Sequence, residues 1–404
     1  MISLNPPKWT SDRHPKEFAL RKRIFDTWRS VCVSFGYEEY LWPIVEYADM
    51  YRAKSWQDVW WSELTIITDR AWRELALRPE MTPSVTRMIA WCYTTTPKPI
   101  KYFSIANFFR NERPQRWRNR EFWQLNIDCF GSDALMSDIE IIQIWCEIMK
   151  QFGAHDTMYQ VRINNRQHIN HTLQTMWIWD IGSVVRLIDR YEKTSEWDFV
   201  IAMTDLWLDH TQQSQLITYL TSTVHDDLVM EQCIDTLNQL GYTNIVYSPT
   251  LMRGFDYYDG VVFEFFDTHP DNRRAMFGGG RYNGLASIFG VDSFPAVGMA
   301  PGDETTKLFL QSRWLTHDSY DPEMYYMPIL DADLQVQTCA IAQHLRSVWK
   351  NIRTSPDVRK LWKSLEYAQQ NWYQHIIIYG IQEHASGHYT IKNLIDWSQQ
   401  SYSL

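Results

Sequence analysis

Hydrophobic positions along this chain change period several times, and each change marks an element. Over residues 15–35 Phe18, Phe25, Trp28 and Cys32 recur at three- to seven-residue spacing and Gly36 follows, which predicts an amphipathic helix with a glycine stop. Thr82-Pro83 predicts a capped helix start, with the helix running to about Tyr93. Around 99–112 and 118–131 apolar and polar residues alternate, as in paired strands. Residues 134–152 return to helical periodicity and end at Gly153, and a strand follows at 158–163. From 166 to 243 there is no strand alternation, so several helices are expected. Strand pattern resumes at 245–248 and 259–267, and Gly302 and Asp303 open a further helix. Past a polar stretch at 317–322, residues 324–404 alternate strand and helix. Their continuous run Ile376-Ile377-Ile378-Tyr379 predicts a buried parallel strand. The expected organisation is α+β. One body is formed by 1–165 and 244–316, a helical domain is inserted at 166–243, and a small α/β domain spans 322–404.

Composition narrows the function classes. A 404-residue chain with 45% hydrophobic residues can bury a sizeable core. No run of about 18 apolar residues occurs, so no membrane span is expected, and the N-terminus lacks the basic-then-apolar order of a signal peptide. Six cysteines stand apart without CxxC spacing, which favours a reducing, cytoplasmic setting and gives no metal site. Net charge is −9, yet cations cluster locally. Residues 346–363 carry Arg346, Lys350, Arg353, Arg359, Lys360 and Lys363 against the single acid Asp357. Basic patches on an acidic body suit transient nucleic-acid binding.

The densest charge lies between the two predicted strands, with five arginines from Arg110 to Arg120. Guanidinium forks match phosphate oxygens better than ammonium groups do, so an arginine loop between strands suggests a polyphosphate clamp, or else a solvated basic hairpin.

Phe108-Phe109-Arg110-Asn111-Glu112-Arg113-Pro114 with its following strand resembles motif 2 of class II aminoacyl-tRNA synthetases. Arg253-Gly254-Phe255-Asp256-Tyr257-Tyr258 and Gly278-Gly279-Gly280-Arg281-Tyr282-Asn283-Gly284-Leu285 resemble the two histidine signatures of histidyl-tRNA synthetases. Leu77-Arg78-Pro79-Glu80-Met81-Thr82 resembles that family's amino-acid-binding loop. The resemblance covers nearly the whole chain in the family's order. It implies a class II antiparallel sheet core with flanking helices, a helical insertion and a C-terminal α/β anticodon-binding domain. It also implies ATP with Mg2+, histidine and its tRNA as substrates, and a homodimer built through the first helix, strand and Pro43. The alternative is a catalytically silent paralogue regulating histidine biosynthesis. Such paralogues lack the C-terminal domain and the signatures that this chain carries.

Carried over residue by residue, the resemblance makes Arg110 and Arg253 the catalytic cations, with Arg110, Glu112 and Arg118 on ATP. Glu80 and Thr82 match the positions that bind the substrate ammonium, and Gln124, Asp128, Arg253, Tyr257 and Tyr258 those around the rest of histidine. Tyr282 either lines that pocket or packs. Asp128 stands where better-known members carry glutamate. Motif 3 departs further: Gly298-Met299-Ala300-Pro301-Gly302-Asp303-Glu304-Thr305 has threonine where the class places an arginine. Lys307 lies about 200° around a helix from that position. Either another group has taken the role or ATP binding is impaired.

One oddity is compositional. The chain has 20 tryptophans and 16 glycines, where a usual share would give roughly 28 glycines. Trp9, Trp42, Trp56, Trp60, Trp61, Trp72, Trp117, Trp197, Trp349, Trp362 and Trp372 stand where the resemblance or a local turn expects glycine. The expectation is that UGA codons, translated here as tryptophan, are read as glycine in the source. Trp123 fits its strand.

Overall fold

The computed structural model describes residues 3–8, 10–52, 63–111, 119–222, 226–252, 257–272, 275–316, 323–348 and 350–404. The chain divides into two compact units, Met1–His317 and Asp318–Leu404.

The first unit is built on an eight-stranded sheet. Towards one edge it has a long hairpin of β5 (Ile100–Phe109) and β6 (Glu121–Phe130), paired antiparallel from Ile100 opposite Phe130 to Phe109 opposite Glu121. Beyond β6 lie β11 (Ala296–Met299), β10 (Ala275–Arg281), β9 (Val261–Asp267) and β7 (Tyr159–Asn165), all antiparallel. The edges are parallel additions, β1 (Glu38–Glu39) beside β5 and β8 (Ile245–Tyr247) beside β7. Both faces are covered, so side chains that alternate along each strand enter two separate cores.

One face packs on α1 (Pro15–Ser34), α4 (Leu135–Gln151), α9 (Leu228–Gln239) and α10 (Asp303–Ser312). In α1 the buried stripe is Ile24, Trp28, Val31 and Cys32, while Phe18 is exposed. The true stripe thus sits one residue off the predicted start, because Ile24 completes the i, i+4, i+7, i+8 row. In α4, Ile139, Ile142, Trp145, Cys146 and Met149 are buried, and Trp145 meets Phe277 at 4.3 Å between ring centroids.

The opposite face is covered by α3 (Thr82–Cys92) and a small sheet of β2 (Val45–Tyr47), β4 (Glu74–Leu77) and β3 (Thr65–Thr68), with the short α2 (Ala48–Arg52) beside it. Arg78, just after β4, is buried and ties this sheet to β5. Its Nε donates to Asn107 O at 2.9 Å and its Nη1 to Trp42 O at 2.5 Å, and its guanidinium lies 5.2 Å from the Phe108 ring.

The helices expected over 166–243 have two destinations. α5 (Arg166–Thr175), α6 (Ile181–Ile188), α7 (Glu196–Asp205) and α8 (His210–Thr221) enclose a core of their own around Ile169, Val184, Phe199 and Leu216. α9 instead gives Met230, Cys233 and Leu237 to the helical face of the large sheet.

In the second unit β12 (Met324–Ile329), α11 (Gln335–Ser347), β13 (Asn351–Val358), α12 (Leu361–Gln370), β14 (His375–Ile378), α13 (Ile381–Ser386), β15 (His388–Asn393) and β16 (Gln399–Ser403) form a five-stranded sheet in the order β13-β12-β14-β15-β16. In the Ile376 run Ile376, Ile377 and Tyr379 are buried as expected and Ile378 is half-buried, but β14 is parallel only to β12 and antiparallel to β15. The chain ends in a hairpin, so strict alternation of strand and helix stops at α13.

Candidate active site

The candidate residues of β6 lie on the face under α3. Period-two alternation places Phe122, Gln124, Asn126, Asp128 and Phe130 of β6 there, while Leu125, Ile127 and Cys129 enter the helical core. Asn126 and Asp128 are buried and Gln124 is half-buried. Among the described residues, Gln124 Oε1, Asn126 Oδ1 and Asp128 Oδ2 lack a hydrogen-bond partner. A row of three such atoms on one strand is what a polar ligand would satisfy, since buried polar groups are otherwise paired.

Asp128 sits at the centre. The Tyr282 hydroxyl donates to its Oδ1 at 2.5 Å. Burial pushes the carboxyl up to about 7, against the lowering effect of that hydrogen bond. Across the sheet Asp128 faces Tyr102 on one side and Gly298 on the other, and Gly298 faces Gly280. The glycines make the room. A β-carbon at 298 would overlap Asp128 Oδ1, and one at 280 would lie 2.6 Å from Val261 O and 2.9 Å from Tyr258 Cδ1. Tyr257 and Tyr258 are buried beside Tyr282, with Tyr257 edge-on to it at 5.9 Å. Tyr282 therefore packs through its ring and reaches Asp128 through its hydroxyl.

Glu80 and Thr82 are buried and flank Met81, which belongs to the same apolar cluster as Tyr257, Tyr258 and Tyr282. Arg110 follows β5 and is half-buried. Its Nε donates to Pro79 O at 2.9 Å, and its guanidinium lies 5.0 Å from the Phe122 ring. The loop carrying Glu80 thus also orients Arg110. Glu112, Arg118 and Arg253 lie outside the described residues.

Motif 3 opens α10. Asp303 is buried, accepts from Trp123 N at 3.0 Å and pairs with Arg21 of α1 at 2.6 Å. Glu304 pairs with Arg13 at 2.5 Å and Arg21 at 3.1 Å. Thr305 turns its hydroxyl back to Gly302 O at 3.0 Å, and Lys307 pairs with Glu304 at 3.1 Å. The cations near this helix start are therefore committed to its own acids. Among the described residues no group of three or more His, Cys, Asp or Glu could hold a metal, and no helix is long and apolar enough to cross a membrane.

Three features escaped sequence reasoning. Asn126 shares the row of Gln124 and Asp128, and the alternation Gln-Leu-Asn-Ile-Asp would have found it. Tyr40 is half-buried with its hydroxyl shut off from water near Asp128, whose charge helps raise that hydroxyl's pKa behind the larger effect of burial. No local signal marks it. Arg281 of the second signature is structural: it grips buried Asp138 of α4 through Nη2 at 2.6 Å and Nε at 3.1 Å. In the second unit the basic run is partly engaged. Arg346 donates to Ile352 O at 2.9 Å, Lys350 donates to the Tyr325 hydroxyl at 2.9 Å, and the Arg359 guanidinium lies 4.9 Å from the Tyr367 ring.

A largely antiparallel sheet with an arginine at the mouth of its long hairpin and a glycine-lined polar face defines a class II aminoacyl-tRNA synthetase body. The family model of histidyl-tRNA synthetase matches residues 9–176 and 180–302. The chain is 32% identical to the histidine–tRNA ligase of Leptospira biflexa over 98% of its own length and 94% of that protein. It is 31% identical to that of Halobacterium salinarum, over 96% and 93%. The crystal structure of histidyl-tRNA synthetase from Nostoc sp. PCC 7120 superposes with a TM-score of 0.84 at 22% identity, covering 100% of this chain and 97% of that one. A Bacillus halodurans structure described as an ATP phosphoribosyltransferase regulatory subunit/histidyl-tRNA synthetase gives 0.75 at 19% identity, covering 93% and 98%. The chain belongs to the histidyl-tRNA synthetase family.

Proposed function

We propose that this protein is a histidine–tRNA ligase that activates histidine with ATP and transfers it to tRNA. The observation that carries the reading is Asp128: a buried carboxyl with one oxygen held by Tyr282, the other unpartnered among the described residues, in a cradle that only glycine permits. A carboxyl that titrates near 7 suits an imidazole, which titrates near 6.5 when free. Near neutral pH the pair shares one proton, whichever partner holds it. An apolar side chain of similar size would leave Asp128 Oδ2 and Asn126 Oδ1 buried without partners, and that cost supplies the selectivity.

Glu80 and Thr82 receive the ammonium group, and Gln124, Tyr257 and Tyr258 enclose the rest. The histidine carboxylate attacks the α-phosphate of ATP and pyrophosphate leaves; a tRNA ribose hydroxyl then attacks the adenylate carbonyl, the acyl–phosphate bond breaks, AMP leaves and the hydroxyl gives up its proton. Charge builds on oxygen in both steps, so fixed cations are the main catalytic device. Arg110 is held in place for it by Pro79 O. By motif match, Arg253 serves at the same centre, and Glu112 and Arg118 serve ATP. Mg2+ enters as an ion carried mainly by the ATP phosphates, as is usual for nucleotide sites. Two copies of the chain pair through the motif 1 region, and the reaction runs in the cytoplasm.

The test is pyrophosphate exchange dependent on both histidine and ATP, followed by charging of histidine tRNA. Exchange with histidine supports the reading. No exchange from folded protein would favour the regulatory paralogue and would assign the loss to Thr305.

A further inference from the structure

Every non-glycine residue with positive φ among the described residues is a tryptophan: Trp72, Trp177, Trp207, Trp314, Trp372 and Trp397, with φ between 57° and 62°. This left-handed region is costly for a side chain and is shared mainly by glycine and, at lower frequency, asparagine and aspartate. No asparagine or aspartate occupies it here. All six tryptophans are exposed.

Four of them end helices by one hydrogen-bond pattern. After α5, Trp177 N donates to Gln174 O at 2.9 Å and Ile178 N to Leu173 O at 3.0 Å. After α7, Trp207 N donates to Thr204 O and Leu208 N to Met203 O. After α10, Trp314 N donates to Gln311 O and Leu315 N to Leu310 O, and after α12, Trp372 N donates to Gln369 O and Tyr373 N to Ala368 O. Each next residue is hydrophobic. The same pattern closes α1 at Gly36, α4 at Gly153 and α9 at Gly241, followed by Tyr37, Ala154 and Tyr242. This is the helix ending in which a left-handed glycine is the usual residue. The other two close hairpins. Trp72 lies between β3 and β4, where Asp69 N donates to Arg73 O. Trp397 lies between β15 and β16, where Asn393 N donates to Ser398 O. Left-handed positions in hairpin turns are again glycine sites.

We infer that these six positions carry glycine in the polypeptide its source makes, through a codon read there as glycine and translated as tryptophan in the sequence as written. The backbone sharpens the compositional expectation. Of the eleven positions where the resemblance or a local turn expects glycine, Trp72 and Trp372 belong to the set. Trp197 and Trp362 lie in α7 and α12, and Trp42 stacks under Arg87 at 4.3 Å and donates to Glu46 at 3.2 Å, so conformation does not place these three in the set. Trp9, Trp56, Trp60, Trp61, Trp117 and Trp349 lie outside the described residues. Trp28 and Trp145 are fully buried in the core of the large sheet, 6.5 Å apart, and stand outside the set.

The gene and the protein decide it together. The expected result is UGA at all six left-handed positions and UGG at Trp28 and Trp145, with glycine at the six when the protein purified from its source is sequenced by mass spectrometry. UGG at the six, or one codon shared by both classes, overturns the inference, as does tryptophan in the purified protein. A second measurement needs no source organism. The chain made with tryptophan as written is compared with a variant carrying all six changes, Trp→Gly at 72, 177, 207, 314, 372 and 397. The glycine variant is expected to melt roughly 5–10 °C higher, or to fold where the tryptophan chain does not. An equal or lower melting temperature would count against glycine.

Discussion

On β6, Leu125 and Ile127 point to one side of the sheet and Asn126 and Asp128 to the other, and all four are almost fully removed from water. The strand and its pairing are shared, but the energetics are opposite. Each large apolar side chain in the helical core stabilises the fold by about 1.5–3 kcal/mol. A buried polar atom without a partner costs about 1–3 kcal/mol, and the α3 face holds several. The first row holds the sheet to α1 and α4; the second is maintained at the expense of stability and is explained by what binds there. Substitutions on the two rows should therefore separate activity from stability.

The largest effect is expected at Asp128→Ala. Histidine-dependent exchange should lose on the order of 1000-fold in kcat/KM, the scale of removing a group the site is built around. The melting temperature should stay within a few degrees, because the loss of a buried, half-partnered carboxyl is offset by leaving the Tyr282 hydroxyl without its acceptor. A variant that melts well below the parent while keeping its exchange would reverse the roles of the two faces.

Next comes the pH dependence of stability. Burial raises the Asp128 carboxyl in the folded chain to about 7, while the unfolded chain titrates near 4. Below about pH 4 the group is protonated in both states and its contribution is complete. Between about 4 and 7 the unfolded chain gives up its proton first, so the folded state binds more protons and stability falls as pH rises. Above about 7 the loss is complete, and it amounts to about 4 kcal/mol. Urea unfolding of the parent and of Asp128→Asn at pH 4 and pH 8 measures this, and the asparagine variant should lack that fall. Equal pH slopes would mean that Asp128 titrates alike in the folded and unfolded chain.

On the other face Ile127→Ala should cost about 2–5 kcal/mol of stability, while exchange well below the melting temperature stays within about threefold. A large loss of exchange from folded Ile127→Ala would show that the helical core reaches the site through the strand.

Much of this contrast can be read in the sequence. Alternation through Gln124-Leu125-Asn126-Ile127-Asp128 is enough to place two rows on two faces, and the motifs name Asp128, Glu80 and Tyr258 as candidates for one site. What stays hidden is long-range or depends on element ends. Tyr40 meets the pocket and Arg281 meets Asp138 only through the fold. The Ile376 run shows burial, but burial does not say that β14 pairs antiparallel on one side. Trp177, Trp207, Trp314 and Trp397 give no compositional sign. Only the positions of helix and hairpin ends reveal them as left-handed.

The smallest effect belongs to Tyr282→Phe, and it tests how the polar face is held. The ring should remain packed, edge-on to Phe130 at 6.3 Å and to Tyr257 at 5.9 Å. Only the hydroxyl on Asp128 Oδ1 is lost. That hydroxyl favours the ionised carboxyl, so without it the Asp128 carboxyl titrates higher still. Exchange at neutral pH should fall about tenfold, the scale of one hydrogen bond to a charged group. The rate should also decline at a higher pH as acid is added, since more of the enzyme holds Asp128 protonated. A purely packing role would leave the pH profile in place, and a fall in rate without that displacement would remove Tyr282 from the site and leave Asp128 positioned by the sheet alone.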